Sequence, residues 1–172
     1  MATRVAEDRR LHAADQGHLL HQLLKLSNRL MAPFATHLAD RYKISLNEFR
    51  LLMSIGALGT TASHEVADRT GVNVMSVSRA VAALERNGRI SVTTDPANRR
   101  RKVLSLTEEG QRLYTLMRPQ SAKVAEYLFS EIGADDLATL ERIFDRLIAT
   151  LEAKDAQGRS CFLEATRPSE ED

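Results

Sequence analysis

Apolar residues recur at three- and four-residue steps over most of the chain, which is the spacing of one face of an α-helix. The first such stretch runs from about Asp15 to Tyr42 and includes Leu20, Leu23, Leu24, Leu30, Met31, Phe34 and Leu38. Pro33 lies inside this pattern and lacks a backbone donor, so we expect the helix to kink or restart there. Residues 1–14 are polar and charged and are expected to form a flexible tail.

A capping box predicts the start of a second helix. The Ser45 side chain can accept a hydrogen bond from the backbone amide of Glu48, and the Glu48 side chain can accept one from the backbone amide of Ser45. This helix is predicted from Leu46 to about Leu58, closed by Gly56 and Gly59.

Two short helices follow on either side of a glycine. The first is predicted from about Ala62 to Thr70, with Gly71 in the turn after it. Asn73 is a favourable N-cap for the next helix, which should end near Asn87 and Gly88. Two short helices joined by a glycine turn form a helix-turn-helix, the unit that places its second helix in a DNA groove.

The apolar spacing then changes from helical to alternating. Residues 90–94 and 103–106 alternate as strands do, and Asp95, Pro96, Ala97 and Asn98 between them favour a turn. The sequence therefore predicts a β-hairpin whose tip carries Arg99, Arg100 and Arg101. A basic hairpin beside a recognition helix indicates a winged helix-turn-helix.

Two long helices complete the predicted architecture. Thr107 is expected to cap a helix from Glu108 to about Ile132, bent at Pro119. The last helix, from about Asp135 to Ala153, carries a broad apolar stripe of Leu137, Leu140, Ile143, Phe144, Leu147, Ile148 and Leu151. Residues 154–172 are polar and are expected to form a second flexible tail.

The charge distribution favours a nucleic-acid partner. The formal net charge is only +1, yet residues 79–102 carry seven cations against two acids, and residues 135–172 carry ten acids against five bases. A basic centre of this kind is the electrostatic footprint that binding to phosphates requires.

Other function classes lack support in the sequence. Cys161 is the only cysteine, so neither an internal disulfide framework nor a multi-cysteine zinc site is expected. The chain has no phosphate loop, paired metal-spaced histidines, serine elbow or cysteine–histidine constellation, so neither an enzyme nor a cofactor is expected. No apolar run approaches the length of a membrane span, and a reducing cytoplasm is the expected compartment.

The order of four helices, a hairpin and two helices resembles the MarR (multiple-antibiotic-resistance regulator) family from about Leu19 to Leu151. The most specific part is the wing at residues 95–110, supported by residues 46–52, 65–67, 77–79, 84–85 and Gly88. Wings of the family usually carry an aspartate where this chain has Asn98. Either Asp95 braces the wing arginine instead, or the wing is looser.

The resemblance implies a mainly α protein with a small β-hairpin, in which a winged helix-turn-helix at residues 45–107 is flanked by dimerisation helices. Residues 15–44 and 108–153 would form the dimerisation region of a homodimer. The residues themselves support this, because helices at both ends carry more apolar surface than a small DNA-binding lobe can cover. A self-contained helical cap on a monomer is the alternative.

Groove geometry predicts which residues contact duplex DNA, since the first turn of a recognition helix faces the base edges. The predicted contacts are Asn73, Val74, Met75, Ser76, Ser78 and Arg79 on the helix and Arg99 and Arg100 on the wing. Arg79 would read guanine or hold a phosphate, Ser76 and Ser78 would do either, and Met75 would touch a thymine methyl. Alternatively the valines are core residues, the serines are caps and the wing arginines form a solvated cluster. Arg100 matches the family's minor-groove arginine.

The resemblance also implies a repressor of a pseudo-palindromic operator, released by a small aromatic or anionic inducer such as an aromatic acid or its thioester. The predicted pocket residues are His21, Asn28, Arg50 and Met53, with Arg50 or His21 meeting a carboxylate. Ordinary surface histidines, and an internal ion pair of Arg50, are the alternatives. Two other functions remain open, a redox sensor acting through Cys161 and a non-specific architectural DNA-binding protein.

Overall fold

The computed structural model describes residues 2–95 and 102–168, with side chains described from residue 15 onward. In this part of the chain the elements are α1 (Ala2–Leu30), α2 (Ala32–Phe34), a π-helical turn (Ala35–Ala39), α3 (Asp40–Tyr42), α4 (Leu46–Leu58), β1 (Thr60–Ala62), α5 (Ser63–Thr70), α6 (Val74–Arg86), β2 (Ile90–Thr94), β3 (Lys102–Leu106), α7 (Glu108–Phe129), α8 (Ala134–Glu152) and α9 (Cys161–Ala165). The mainly α architecture with a small antiparallel sheet agrees with the expected fold class.

The first helical region restarts at the proline, as predicted. α1 ends at Leu30, and Pro33 lies in the first turn of α2, where its missing amide hydrogen would have no helical partner anyway. Lys43, in the left-handed conformation with φ of 48°, ends α3. The backbone of α1 begins at Ala2, earlier than the apolar spacing indicated.

The capping box at the start of α4 is confirmed. The Ser45 amide donates to Glu48 Oε2 over 2.9 Å, and the Glu48 amide donates to Ser45 Oγ over 3.3 Å. Gly59 ends the helix with φ of 79°. The predicted closure by Gly56 is wrong, because Gly56 lies inside α4, where a Cβ atom would overlap the ring of Tyr114 on α7.

The core of the DNA-binding lobe is built from α4, α5, α6, β3 and α7. Its most deeply buried side chains are Leu51, Leu52, Ile55, Val66, Val77, Leu84, Leu104, Leu113 and Met117. They contact one another in a single cluster, so α6 is held on one side by apolar packing and leaves its other side exposed.

The predicted hairpin forms, and a third strand joins it. β2 pairs with β3 from Ile90 opposite Leu106 to Thr94 opposite Lys102. β1 pairs with the other edge of β3, so the strand order is β1-β3-β2. β1 was not predicted, because three residues are too few to show an alternating pattern.

The chain divides into two compact units, residues 1–124 and 125–172. In the second unit, α8 exposes the part of its apolar stripe between Ile143 and Leu151, while Leu137 and Leu140 are half-buried. Residues 154–160 form a tight loop, and α9 after it was not predicted. The backbone amide of Arg159 donates a hydrogen bond to the Asp155 carboxylate over 2.9 Å. This hydrogen bond is the main reason why the pKa of Asp155 is lowered. None of the described helices is both long and apolar enough to cross a bilayer.

Candidate nucleic-acid interface and ligand cavity

Local turn chemistry sets the start of α6. Gly71 takes the left-handed conformation after α5, with φ of 64°, which a residue with a Cβ atom adopts at a cost. Asn73 Oδ1 then accepts a hydrogen bond from the Ser76 amide over 2.9 Å, and this confirms the predicted N-cap. Val77, Ala80 and Leu84 anchor the helix in the core.

The opposite side of α6 is open to solvent at its N-terminal end. Val74 and Met75 are 71% and 65% exposed, and Ser78, Arg79 and Ala82 are exposed as well. The structure therefore brings together Asn73, Val74, Met75, Ser78 and Arg79 of the predicted contacts on the exposed side of one helix end. Ser76 differs, since it is half-buried and its amide is occupied by the cap.

Arg79 lies beside the start of α4. It borders a shallow concavity of about 300 Å³ lined by Ser45, Asn47, Glu48, Ser76, Arg79, Ala80 and Ala83. Arg79 makes no ion pair with any carboxylate in the described part of the chain. Its guanidinium is thus available to a phosphate or a base edge, and Asn47, which the sequence analysis missed, lies on the same concavity.

Arg89, by contrast, is used inside the protein. Its Nη1 and Nη2 atoms donate to the backbone oxygens of Lys43 and Tyr42 over 3.1 and 2.7 Å. Nη1 also lies 4.0 Å from Glu48 Oε1, and the Arg89 and Glu48 side chains are only 11% and 10% exposed. The inclusion of Arg89 in the basic footprint was therefore wrong, because this cation links the base of the hairpin to the start of α4 and is not available to phosphates.

The predicted wing contacts Arg99 and Arg100 lie outside the described residues, as do Pro96, Asn98 and Arg101. The described strands end at Thr94 and begin again at Lys102, which is exposed. The base of the hairpin therefore supports the predicted wing, while the contacts at its tip remain predictions.

A cavity of about 290 Å³ lies in the first unit, between the α2–α4 region and α7. Its described lining residues are Leu30, Met31, Pro33, Phe34, His37, Leu38, Leu46, Phe49, Arg50, Gln120, Ser121 and Val124. The rings of Phe34 and Phe49 pack with their centroids 5.0 Å apart. Arg50 carries the only permanent charge among the described lining residues, and its Nη2 contacts Met31 Sδ at 3.7 Å.

The predicted ligand residues do not all line this cavity. Arg50 does, and no described carboxylate pairs with it, so the internal ion pair considered above is absent among the described residues. His21 and Asn28 instead line a separate shallow groove along α1. Met53 is half-buried against the core and is not in the lining. Cys161 is exposed at the first position of α9.

Gln120 and Ser121 on α7 were missed by the sequence analysis. The apolar stripe of α7 gave no sign of them, because both are polar residues just after Pro119 and read as solvent-facing. Only the packing of α7 against the first unit places them on the cavity.

Comparison with curated proteins finds transcriptional regulators that align over about three quarters of this chain. YwoH of Bacillus subtilis, an HTH-type transcriptional regulator, is 24% identical over 127 residues, which cover 74% of this chain and 91% of that protein. The HTH-type transcriptional regulator TcaR of Staphylococcus aureus is 24% identical over 136 residues, covering 78% of this chain and 89% of that protein.

Comparison with solved structures finds the same fold. BpsR of Bordetella bronchiseptica, solved for the mechanism by which 6-hydroxynicotinic acid regulates its DNA binding, has a TM-score of 0.65 at 21% identity, covering 76% of this chain and 98% of that chain. A mutant MarR from E. coli complexed with operator DNA has a TM-score of 0.61 at 20% identity, covering 76% of this chain and 91% of that chain.

The family model described as MarR family matches residues 44–102, from the residue before the α4 cap to the start of β3. That segment holds the capped α4, the helix-turn-helix and the first strand of the wing, which are the elements described above. Residues 44–102 thus match the MarR family, and about three quarters of the chain is similar in sequence and fold to winged-helix transcriptional regulators of that family.

Proposed function

We propose that this protein acts in the cytoplasm as a homodimeric repressor, which binds a pseudo-palindromic operator and leaves it when a small aromatic acid binds. The observation that carries the proposal is the exposed N-terminal end of α6, where Arg79 faces solvent and makes no ion pair with any of the described carboxylates. A capped helix presenting its first turn to solvent is the geometry with which helix-turn-helix proteins enter the major groove.

The need for a symmetric site follows from the small size of one reading surface. One helix turn and one wing contact few base pairs, whereas two copies reading half-sites about 10 bp apart multiply affinity and specificity. The E. coli MarR neighbour was solved on operator DNA. We extend that mode of binding to this chain.

The apolar surfaces of α1 and α8 support a second copy as the partner. On α1, Leu19, Leu20, Leu23 and Leu24 are between 42% and 62% exposed. On α8, Ile143, Phe144, Leu147, Ile148 and Leu151 are between 36% and 52% exposed. Exposure of such apolar stripes to water is unfavourable. A second copy related by two-fold symmetry carries the same stripes and can cover them.

We propose the cavity beside Arg50 as the binding site of the inducer. Its volume of about 290 Å³ suits a one-ring molecule, and the Phe34 and Phe49 rings offer an apolar wall. The Arg50 guanidinium would form a charge-assisted pair with the carboxylate of such a molecule. An aromatic acid therefore fits the cavity, and the DNA binding of the BpsR neighbour responds to one.

The central experiment titrates full-length protein against the DNA upstream of its own gene, using fluorescence anisotropy. A regulator should prefer a site in that DNA over a scrambled duplex of equal composition by about a thousandfold or more. Equal affinity for both duplexes would instead identify a non-specific architectural protein and contradict the proposal.

Arg100→Ala is expected to weaken operator binding and to flatten its salt dependence. Loss of one phosphate contact in each of two protomers should reduce the slope of log affinity against log salt by about two. A salt series on parent and variant measures this. Should Arg100 enter a narrow minor groove instead, preference for A·T pairs at the flanks relaxes. Arg142→Ala, exposed on α8, is the control and should change neither quantity.

Arg50→Ala is expected to raise the concentration of aromatic acid needed to release the operator by about ten- to a hundredfold, because it removes a charge-assisted hydrogen bond. Operator affinity without ligand should stay close to that of the parent, since Arg50 is outside the DNA-contacting end of α6. Release curves with a panel of aromatic acids measure both quantities.

His21→Ala is the matched comparison for the ligand prediction. Its side chain lies in the α1 groove rather than the cavity, so the variant should respond to inducer like the parent. Loss of response in His21→Ala with a normal response in Arg50→Ala would move the anion site to the α1 groove.

A further inference from the structure

We infer that the exposed face of α6 reads thymine methyl groups, so that the operator half-site is specified mainly by thymines in the major groove. This inference rests on the proposed function. It goes beyond that function by naming the base chemistry which the recognition helix selects.

The first observation is the apolar character of the turn that would meet the bases. Val74 and Met75, the first two residues of α6, expose 71% and 65% of their surface, although both are apolar. Ala82, seven residues after Met75 and so on the same side of the helix, adds only a methyl group to this exposed face. No side chain of the described lobe covers these residues, so their apolar atoms are available to a partner.

The four bases differ in the groups that their edges present in the major groove. In the major groove, guanine, cytosine and adenine present only hydrogen-bond donors and acceptors, whereas thymine also presents its C5 methyl group. Valine and methionine placed against G·C edges would desolvate polar groups without satisfying them, which is unfavourable. Against the C5 methyl group of thymine, the same side chains bury apolar surface on apolar surface, and the thymine O4 acceptor beside it can stay hydrated.

The polar side chains beside Val74 and Met75 do not select a different base sequence. Ser78 has a hydroxyl that both donates and accepts, so it tolerates any base. Arg79 is the one exposed side chain in the first turns of α6 with a forked set of donors, and it lies at the side nearest α4. A single forked donor adds one guanine or one phosphate contact, and the discrimination along the rest of the turn falls to the apolar groups.

Charge favours DNA over a protein surface as the occupant of this face. With Arg89 set aside because it is buried against Glu48, residues 79–102 still carry six cations against two acids. An apolar strip on a helix that belongs to a segment with so many cations in its sequence complements a thymine-rich groove bordered by phosphates. An apolar protein partner would have to bury these charges without counter-charges.

The test uses the tightest-binding duplex that full-length protein selects from a random pool, made once with thymine and once with deoxyuridine. Deoxyuridine keeps the base pair and removes only the methyl group. We expect the deoxyuridine duplex to bind about fifteenfold more weakly, since one buried methyl in each half-site is worth about fourfold and the two half-sites multiply. A scrambled duplex of each type gives the non-specific effect of the replacement.

Variants separate methyl contact from DNA shape. Met75→Ala and Val74→Ala should bind the thymine duplex more weakly and lose most of the difference between the two duplexes. Arg79→Ala, the matched control, should weaken both duplexes alike and keep the full ratio. A ratio unchanged in Met75→Ala and Val74→Ala would assign the effect to DNA shape and overturn the inference.

Different results would contradict the thymine inference and the proposed function. Selection of a specific duplex that binds equally well with thymine and deoxyuridine would overturn the thymine inference and leave the proposed function intact. A pool that yields no duplex bound more tightly than scrambled DNA would overturn the proposed function itself.

Discussion

Leu147→Asp is expected to convert the protein from a dimer to a monomer and to lower its operator affinity at least about a hundredfold. Leu147 lies in the middle of the exposed α8 stripe and is 45% exposed. In the proposed dimer, the carboxylate would be buried twice without a counter-charge, which costs several kcal/mol. A monomer then holds one half-site only. Light scattering with size-exclusion chromatography gives the mass, and anisotropy gives the affinity.

Arg142→Asp is the matched control for the dimer prediction, because Arg142 lies on the polar side of the same helix. It should leave both the dimer and the operator affinity in place. A Leu147→Asp protein that remains dimeric at micromolar concentration would show that the α8 stripe is not the dimer interface.

Gly110→Ala is expected to destabilise the DNA-binding lobe by about 2–3 kcal/mol or more, because over-packing against rigid groups has no cheap relief. A Cβ atom at Gly110 would overlap the backbone carbonyl of Arg89. That carbonyl is fixed, since it accepts from the Thr107 amide over 3.2 Å and Arg89 itself is tied to Tyr42 and Lys43. Thermal and urea unfolding measure the loss.

Gly17→Ala provides the control for the same chemical change. Gly17 lies inside α1, and nothing stands within 4 Å of a Cβ atom built there. Alanine should therefore be neutral or stabilise by up to about 1 kcal/mol, as expected for an exposed helix interior. A Gly110→Ala protein as stable as the parent would mean that α7 shifts away from the Arg89 carbonyl at little cost.

The predictable parts of this fold rest on short-range chemistry. Ser45 and Glu48 are three residues apart, and Asn73 and Ser76 are likewise three apart, so their hydrogen bonds depend only on local backbone geometry. Pro33 restarts a helix wherever it occurs, for steric reasons. These signals were enough to predict the boundaries of α4 and α6 within a residue or two.

The unpredicted parts depend on residues distant in sequence. Gly56 looks like a helix terminator, yet it is glycine because Tyr114, on another helix, leaves no room for a side chain. β1 exists only because β3 pairs with it. The two ligand candidates Arg50 and His21 are separated, since Arg50 lines a cavity completed by α7 and His21 lies in a shallow groove lined by α1 residues.

The sequence by itself determined where most of the long helices lie, where the caps of α4 and α6 stand and that the centre of the chain is basic, because caps, periodicity and charge patterns are local properties of the sequence. Only the tertiary structure decided which cations remain free and which apolar side chains stay exposed. Arg79 and Arg89 are alike as residues, yet one faces solvent and the other is buried beside Glu48. Burial depends on which elements distant in sequence pack against a side chain, and a local sequence pattern does not contain that information.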